Sequence, residues 1–322
     1  MFNNKSPPVC LIFNKALDER KNVFGDKLAI KTPLRVSWDL TETAELNENT
    51  LSMYERIKER FLFEFNLLIS GGLARSDQHS FWDAIQKTLL EVNLILASSP
   101  ETASADFINR YQFRQVQVDW SDLSQSSLKL YQDLKGEKAV RFILQEQNLS
   151  RVCELLELVR QNSVSTLIFA NPVIDKSAGN GYLFSKSLLR SSVKPFQKEF
   201  LDLERHCKIQ VHDLCSEELM FGQRRREGNY AGCQAGLYLA YVTGDGQVYG
   251  CSSLPISIGD LTTSNWESIW QSEPRKILRS QIEQAASDCA QCKTFNHCKG
   301  GCRGLSWIKH GDFNHPDILC KV

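Results

Sequence analysis

The strongest constraint on this chain lies near its C-terminal end, where seven cysteines follow one ordered pattern. Cys233 is followed after twelve residues by Gly246, and after four more by Cys251. Cys289, Cys292, Cys298 and Cys302 then come with two, five and three residues between them, and Cys320 closes the series. CxxC spacing is a common way for a chain to wrap a soft metal centre, because both thiolates can point at one ion or cluster. Seven thiolates exceed one four-coordinate site and suit two. Spacing alone leaves zinc and iron–sulfur centres as alternatives, although the x2, x5, x3 run lacks the second CxxC of a paired zinc ribbon. The stretch from Cys289 to Cys320 reads as loop-rich and short of apolar surface, so it needs a metal to hold it.

The rest of the composition narrows the setting. Lys plus Arg and Asp plus Glu both total 38. That balance argues against nucleic acid or an anionic membrane as partner. No apolar run approaches the length of a membrane span, and Val9–Phe13 is too short for a signal-peptide core. Eleven cysteines in such a chain imply a reducing, cytoplasmic setting, and metal binding rather than disulfides. Arg224-Arg225-Arg226 reads as a solvated face and Gly179-Asn180-Gly181 as a turn. No P-loop, Rossmann fingerprint or Ser-His-Asp arrangement is present. Cys10 and Cys153 read as inert, with Cys153 on the apolar face of its helix. His297, His310 and His315 read as surface or turn residues, because a thiolate-complete site leaves them no role.

From about 34 to 215, short apolar runs alternate with helical patterns. Expected strands are Leu34–Leu40, Leu62–Ile69, Val92–Ala97, Arg114–Val118, Ala139–Leu144, Thr166–Ala170 and Lys208–Leu214. Asp77–Leu90 carries Phe81, Ile85 and Leu89 at helical spacing behind Ser76 or Asp77 as cap. Asn148 is expected to cap a helix bearing Leu149, Val152, Leu155 and Val159. A helix is expected over Pro195–Arg205 and an abbreviated one around Ser127–Leu134. Strand–helix alternation of this kind gives an α/β protein with a parallel sheet, open or partly closed as a barrel. From about 216 the character changes. Tyr238–Val242 and Gln247–Tyr249, joined by Gly244-Asp245-Gly246, read as a hairpin. Asn265 to about Ala285 reads as one helix.

The cysteine order has company in its flanks: Gly232-Cys233-Gln234-Ala235-Gly236, Ser268-Ile269-Trp270, Gly300-Gly301-Cys302-Arg303 and His310-Gly311-Asp312. Together these resemble the SPASM domain, which follows the catalytic barrel of many radical S-adenosylmethionine enzymes. The resemblance implies two auxiliary [4Fe-4S] clusters with interleaved ligands. Cys233, Cys251 and Cys302 would hold the first, with Cys215 as candidate fourth ligand. Cys289, Cys292, Cys298 and Cys320 would hold the second. The competing reading of Cys215 is a strand-end core thiol, and Cys207 is a weaker candidate than Cys215.

Upstream, Pro33–Thr41 resembles the first strand of the radical S-adenosylmethionine barrel, and Ile69-Ser70-Gly71-Gly72 the end of its second. Active members carry CxxxCxxC after the first strand. Here that position reads Glu42-Thr43-Ala44-Glu45-Leu46-Asn47-Glu48-Asn49, with no cysteine between Cys10 and Cys153. Leu73 stands where an acidic residue usually contacts the methionyl amine, and the Gly71-Gly72 pair is expected to serve only as a sharp turn. Carboxylates and amides are poor substitutes for three thiolates on iron. The sequence therefore implies a partial (β/α)6 barrel over 30–215 that does not cleave S-adenosylmethionine, an N-terminal extension over 1–29, and a SPASM domain over 216–322. The expected role is an electron relay, or a presenter of a ribosomal peptide, for an active radical S-adenosylmethionine maturase. The alternatives are an enzyme using an open iron of the first cluster, and a zinc-bearing adaptor.

Overall fold

The computed structural model describes residues 32–43, 45–58, 64–75, 79–87, 91–171, 173, 186–222, 232–293 and 295–320. The 1–29 extension, Cys10, the Arg224–Arg226 run, Gly179–Gly181 and the caps Ser76 and Asp77 lie outside the described residues.

The sheet begins with β1 (Arg35–Leu40), β2 (Glu64–Ser70), β3 (Val92–Ser98) and β4 (Gln115–Asp119). It continues with β5 (Lys138–Ile143), β6 (Thr166–Ala170) and β7 (Lys208–Val211), each strand parallel to its neighbour. All seven expected strands form. Helices α1 (Glu48–Lys58), α2 (His79–Gln86), α3 (Ala105–Ile108), α4 (Gln125–Asp133) and α5 (Val152–Gln161) fill the crossovers between β1 and β6. Helices α6 (Lys186–Val193) and α7 (Gln197–Leu203) come between β6 and β7.

One sheet face packs on helices, and its residues follow the two-residue period of a strand. Trp38 of β1 stacks on Tyr54 of α1 with ring centroids 6.4 Å apart, and lies 6.0 Å from Phe81 of α2. Phe81 in turn meets Trp82 edge-on at 5.3 Å. These four rings are almost fully buried, and each buried aromatic contributes about 2–3 kcal/mol of transfer free energy. The opposite face is polar. The parallel register aligns Ser37, Asn66 and Asn93 across three strands, where Asn66 Nδ2 donates to Ser37 Oγ at 3.3 Å and Asn93 Nδ2 to Asn66 Oδ1 at 2.8 Å. Further along, Arg141 Nη1 pairs with Asp119 Oδ2 at 3.0 Å.

Several local expectations shift for identifiable reasons. Asn148 is not a simple helix cap. Its Oδ1 accepts from Gln145 N and its amide donates to Ile143 O and Ser121 O, so it ties a 3-10 turn (Glu146–Arg151) to the end of β5. Cys153 is exposed, not on the apolar face. The buried stripe of α5 is Val152, Leu155, Leu156 and Val159, and one residue's rotation of about 100° carries Cys153 off it. Gly71 serves close approach rather than a positive φ. It starts a 3-10 turn (Gly71–Arg75), and a Cβ there would lie 2.1 Å from Ser99 O. The strand expected to reach Leu214 ends at Val211, because Asp213 caps helix α8 (Leu214–Phe221) by accepting from Ser216 N. Cys215 therefore sits in a helix's first turn and not at a strand end.

The hairpin forms as expected, between β8 (Leu239–Thr243) and β9 (Gln247–Tyr249), with Gly246 at φ 91°. Beyond it, β10 (Ser257–Asp260) pairs antiparallel with β9. β8 also runs parallel to β1, so all ten described strands form one sheet ordered β10-β9-β8-β1-β2-β3-β4-β5-β6-β7. The single helix expected over Asn265–Ala285 is two, α9 (Trp266–Trp270) and α10 (Glu273–Glu283). Ser272 caps the second, and Pro274 in its first turn cannot continue the first. Trp266 Nε1 donates to Ile57 O, and Arg56 Nη1 to Leu261 O, fastening this region to α1. The short α11 (Phe295–Cys298) and then α12 (Arg303–His310) follow. No helix among the described residues is long and apolar enough to cross a membrane.

Candidate metal centre

The seven cysteines converge beside the ends of β6 and β7. Cys251 follows β9, Cys302 caps α12, and Cys289 ends a 3-10 turn (Ser287–Cys289) whose carbonyl accepts from Cys292 N at 3.1 Å. Cys298 ends α11. After it, Lys299, Gly300 and Gly301 all adopt positive φ, at 49°, 87° and 70°. That reversal swings the chain back to Cys302. A Cβ on Gly301 would meet the Asp317 side chain at 2.5 Å, so glycine is required there both for its φ and for space.

Asp317 organises the centre. Its Oδ2 accepts from Cys302 N at 2.5 Å and its Oδ1 from Leu319 N at 2.8 Å. Its own N–H donates to Gly300 O, and its carbonyl accepts from Cys320 N at 2.9 Å. One residue thus fixes three cysteine-bearing segments, around Cys298, Cys302 and Cys320.

Electrostatics divides the thiols. Burial and then the charges of Asp317, Asp213, Cys233 and Cys251 push Cys302 well above the usual thiol range. Burial and then Cys233 push Cys251 up to about 12. Cys289 is raised by burial, then by Cys320, Cys298 and Cys292, and Cys298 by burial, Cys320 and Cys292. One group is therefore Cys233, Cys251 and Cys302, and the other Cys289, Cys292, Cys298 and Cys320. Thiols raised in this way stay protonated without a partner, and a metal would have to displace their protons. Cys215 is raised well above its usual value by burial, then by Asp317, Asp213, Cys320 and Cys298. The thiols facing it belong to the second group. Cys207 lies in the apolar core, pushed up to about 12 by burial. His310 and His315 stack on each other at 4.0 Å; the side chain of His297 lies outside the described residues.

The spacing also bears on which metal fits. Among the described residues, the trio with all ligand atoms within 4.8 Å of one another is Asp213, Cys215 and Asp317; no three of the seven cysteines meet that spacing. A tetrahedral zinc with bonds of about 2.3 Å draws its sulfurs to about 3.8 Å apart.

Four residues outside the cysteine pattern complete the surroundings. Arg303 is 1% exposed, donates Nη1 to His315 O at 3.0 Å and Nη2 to Phe313 O, and faces Cys233, Cys289 and Cys302. It lies electrically between the two groups. Arg279 Nη1 donates to Cys233 O and Ala235 O, at 2.8 and 3.0 Å. Asn171, at the end of β6, aims Nδ2 at Cys302 Sγ, 3.6 Å away. Glu217 is 3% exposed, and burial with the charge of Asp213 pushes its carboxyl up to about 8. The folded chain then keeps a proton that the unfolded chain loses above its ordinary 4.5. Stability should therefore fall as pH rises through that window and level off above it. Glu217→Gln is expected to remove this slope, raising stability near pH 9 by a few kcal/mol and changing little near pH 5. Denaturant melts at the two pH values measure it; equal effects at both would refute it.

At the end of β1, polar side chains and the hairpin turn lie close together. Asp39 accepts from Thr41 N at 2.8 Å, Thr41 Oγ1 at 2.6 Å and Tyr241 Oη at 2.5 Å. Asn47 Oδ1 caps the start of α1, while Leu46 and Leu73 are buried. The hairpin turn presses in at Gly244, where a Cβ would meet Thr43 Oγ1 at 2.7 Å.

Residues 233–293 match the SPASM family, an iron–sulfur cluster-binding domain. The AdoMet-dependent heme synthase of Methanosarcina barkeri is 26% identical over 137 residues, covering 38% of this chain and 39% of that protein. The mycofactocin maturase MftC of Mycolicibacterium smegmatis is 31% identical over 96 residues, covering 27% of this chain and 23% of that protein. These matches span well under half the length of either relative. Among solved structures, anSMEcpe with bound AdoMet superimposes with a TM-score of 0.64 at 15% identity, over 90% of this chain and 91% of that one. SuiB of Streptococcus suis gives 0.67 at 14% identity, over 96% and 82%. SuiB bound to its precursor peptide SuiA gives 0.61 at 12% identity, over 100% and 84%. The chain is thus an α/β protein that shares the fold of these neighbours, and it carries a SPASM iron–sulfur domain toward its C-terminal end.

Proposed function

We propose that this chain is a two-cluster iron–sulfur protein that does not itself cleave S-adenosylmethionine and serves an active maturase as electron relay or peptide presenter. The observation that carries the reading is the division of seven thiols into two groups, with Arg303 facing both. Cys233, Cys251 and Cys302 would hold one [4Fe-4S] cluster, and Cys289, Cys292, Cys298 and Cys320 the other. When bound, such clusters supply one-electron transfer. The chain's own residues set the conditions for it. Asn171 offers an N–H toward Cys302 Sγ, and Arg303 contributes positive charge to both groups.

The loop after β1 supports the second half of the reading. Asp39, Thr41, Thr43 and Tyr241 bond to one another or pack against the hairpin there, and no thiol stands in that loop. The peptide-bound neighbour and the maturase relative support a peptide as the object of the modification. The chain reduced with dithionite and given AdoMet is expected to release no 5′-deoxyadenosine. Tagged in its native host, it is expected to copurify with a second iron–sulfur enzyme whose turnover slows when the chain is omitted. Deoxyadenosine release by the chain alone, or unchanged turnover of the partner without it, would overturn the reading. A second reading, an enzyme acting through an open iron, draws on the first group's having three thiols, since Cys215 faces the other group.

A further inference from the structure

Asp213 and Asp317 are two of the most deeply buried acids in the chain, 3% and 2% exposed. They come from segments far apart in the chain, Asp213 from the turn before α8 and Asp317 from the C-terminal segment. Asp213 Oδ1 is used, accepting from Ser216 N at 2.7 Å. Its Oδ2 is buried and has no hydrogen-bond donor. The group it faces is the Asp317 carboxyl, itself an acceptor of two backbone N–H groups. Cys215 Sγ completes the set, with the three ligand atoms within 4.8 Å of one another. Two buried carboxyls and a thiol in a water-poor site require either a proton shared between the acids or a positive charge among the three.

We propose that Asp213, Cys215 and Asp317 form a binding site for one divalent transition-metal ion, separate from the seven thiols of the SPASM pattern. One sulfur and two oxygens are a borderline donor set that suits Zn²⁺ or Fe²⁺ and excludes Mg²⁺ and Ca²⁺, which take oxygen alone. Asp213 also lines a partly open cavity of about 30 Å³, together with Asn171, Leu305 and Ile318, and that volume holds one water on the Asp213 side of the site. The backbone already orients the ligands, since Ser216 N holds Asp213 and the N–H groups of Cys302 and Leu319 hold Asp317. This is the outer-shell support that a metal ligand needs. The ion would pin α8, and with it the barrel side of the molecule, to the cysteine-bearing C-terminal segment.

The test uses the full chain, loaded anaerobically with iron and sulfide, then equilibrated with Zn²⁺ alone and desalted. One zinc per chain is expected with acid-labile sulfide unchanged. Zinc-edge absorption should show one sulfur at about 2.3 Å and two or three oxygens at about 2.0–2.2 Å. Asp213→Asn keeps the helix cap, and Cys215→Ala keeps the fold of the turn. Each should weaken zinc binding at least tenfold and leave sulfide untouched. Three results would overturn the site. Zinc ligated by several sulfurs would mean invasion of the SPASM thiols. A fall in sulfide in Cys215→Ala would make Cys215 a cluster ligand. No zinc retained would mean that the carboxyls share a proton instead. The sulfide count separately reads the two-cluster proposal, so the two can fail independently.

Discussion

The chain isolated without oxygen is expected to carry about eight irons and as many acid-labile sulfides, and Cys302→Ala about four of each. The halving follows from the grouping of the thiols. Cys302 faces Cys233 and Cys251, so its loss strips one set and leaves Cys289, Cys292, Cys298 and Cys320 intact. Cys320→Ala should halve the counts from the other side, and the double variant should lose nearly all iron. Cys153→Ala, on an exposed position of α5, is the control with no loss. About twelve irons would place a third cluster in the barrel and return S-adenosylmethionine cleavage to the chain. Little iron with about two zincs would replace the redox reading with a structural one.

Arg303→Met is expected to cost about 3–5 kcal/mol, because it takes a buried cation from acceptors that have nothing to replace it. The guanidinium spans two carbonyls, Phe313 O and His315 O, and lies over the Phe313 ring at 5.5 Å. On a protein of this size such a loss should lower the melting temperature by roughly 4–7 °C. Arg303→Lys should not restore it, since one ammonium cannot reproduce the planar fork that meets both carbonyls. The cluster-loaded protein gives a second readout. Arg303 faces Cys233 and Cys302 on one side and Cys289 on the other, so losing its charge should lower both reduction potentials. A lysine variant that melts and titrates like the parent would show that Arg303 acts as a diffuse charge and not as a clamp.

Much of this was readable from residue order. The parallel strands announce themselves as short apolar runs, continuous in Thr166–Ala170 and alternating in β1, where Val36, Trp38 and Leu40 interleave with Arg35, Ser37 and Asp39. The hairpin is legible because Gly246 needs a positive φ that few other residues tolerate. The helix over 266–283 was legible in type but not in its break, since Ser272 and Pro274 act only through local capping that a periodicity count averages away. Cys153 was misplaced by one residue's rotation, which no composition argument resolves.

The cysteine spacing by itself pointed to a C-terminal segment that wraps metal, because thiolates at CxxC spacing can face one soft ion or cluster. The resemblance already implied that Cys302 groups with Cys233 and Cys251; tertiary structure alone turned Cys215, nearer to them in the chain, toward Cys298 and Cys320. It alone laid β8 beside β1, making the hairpin an extension of the barrel sheet. It also brought Asp213 against Asp317, two acids with no sequence relation. The physical reason is common to all three. Spacing constrains the few residues a loop can bring together, whereas contacts between distant segments follow from how whole layers pack, and no short window of sequence contains them.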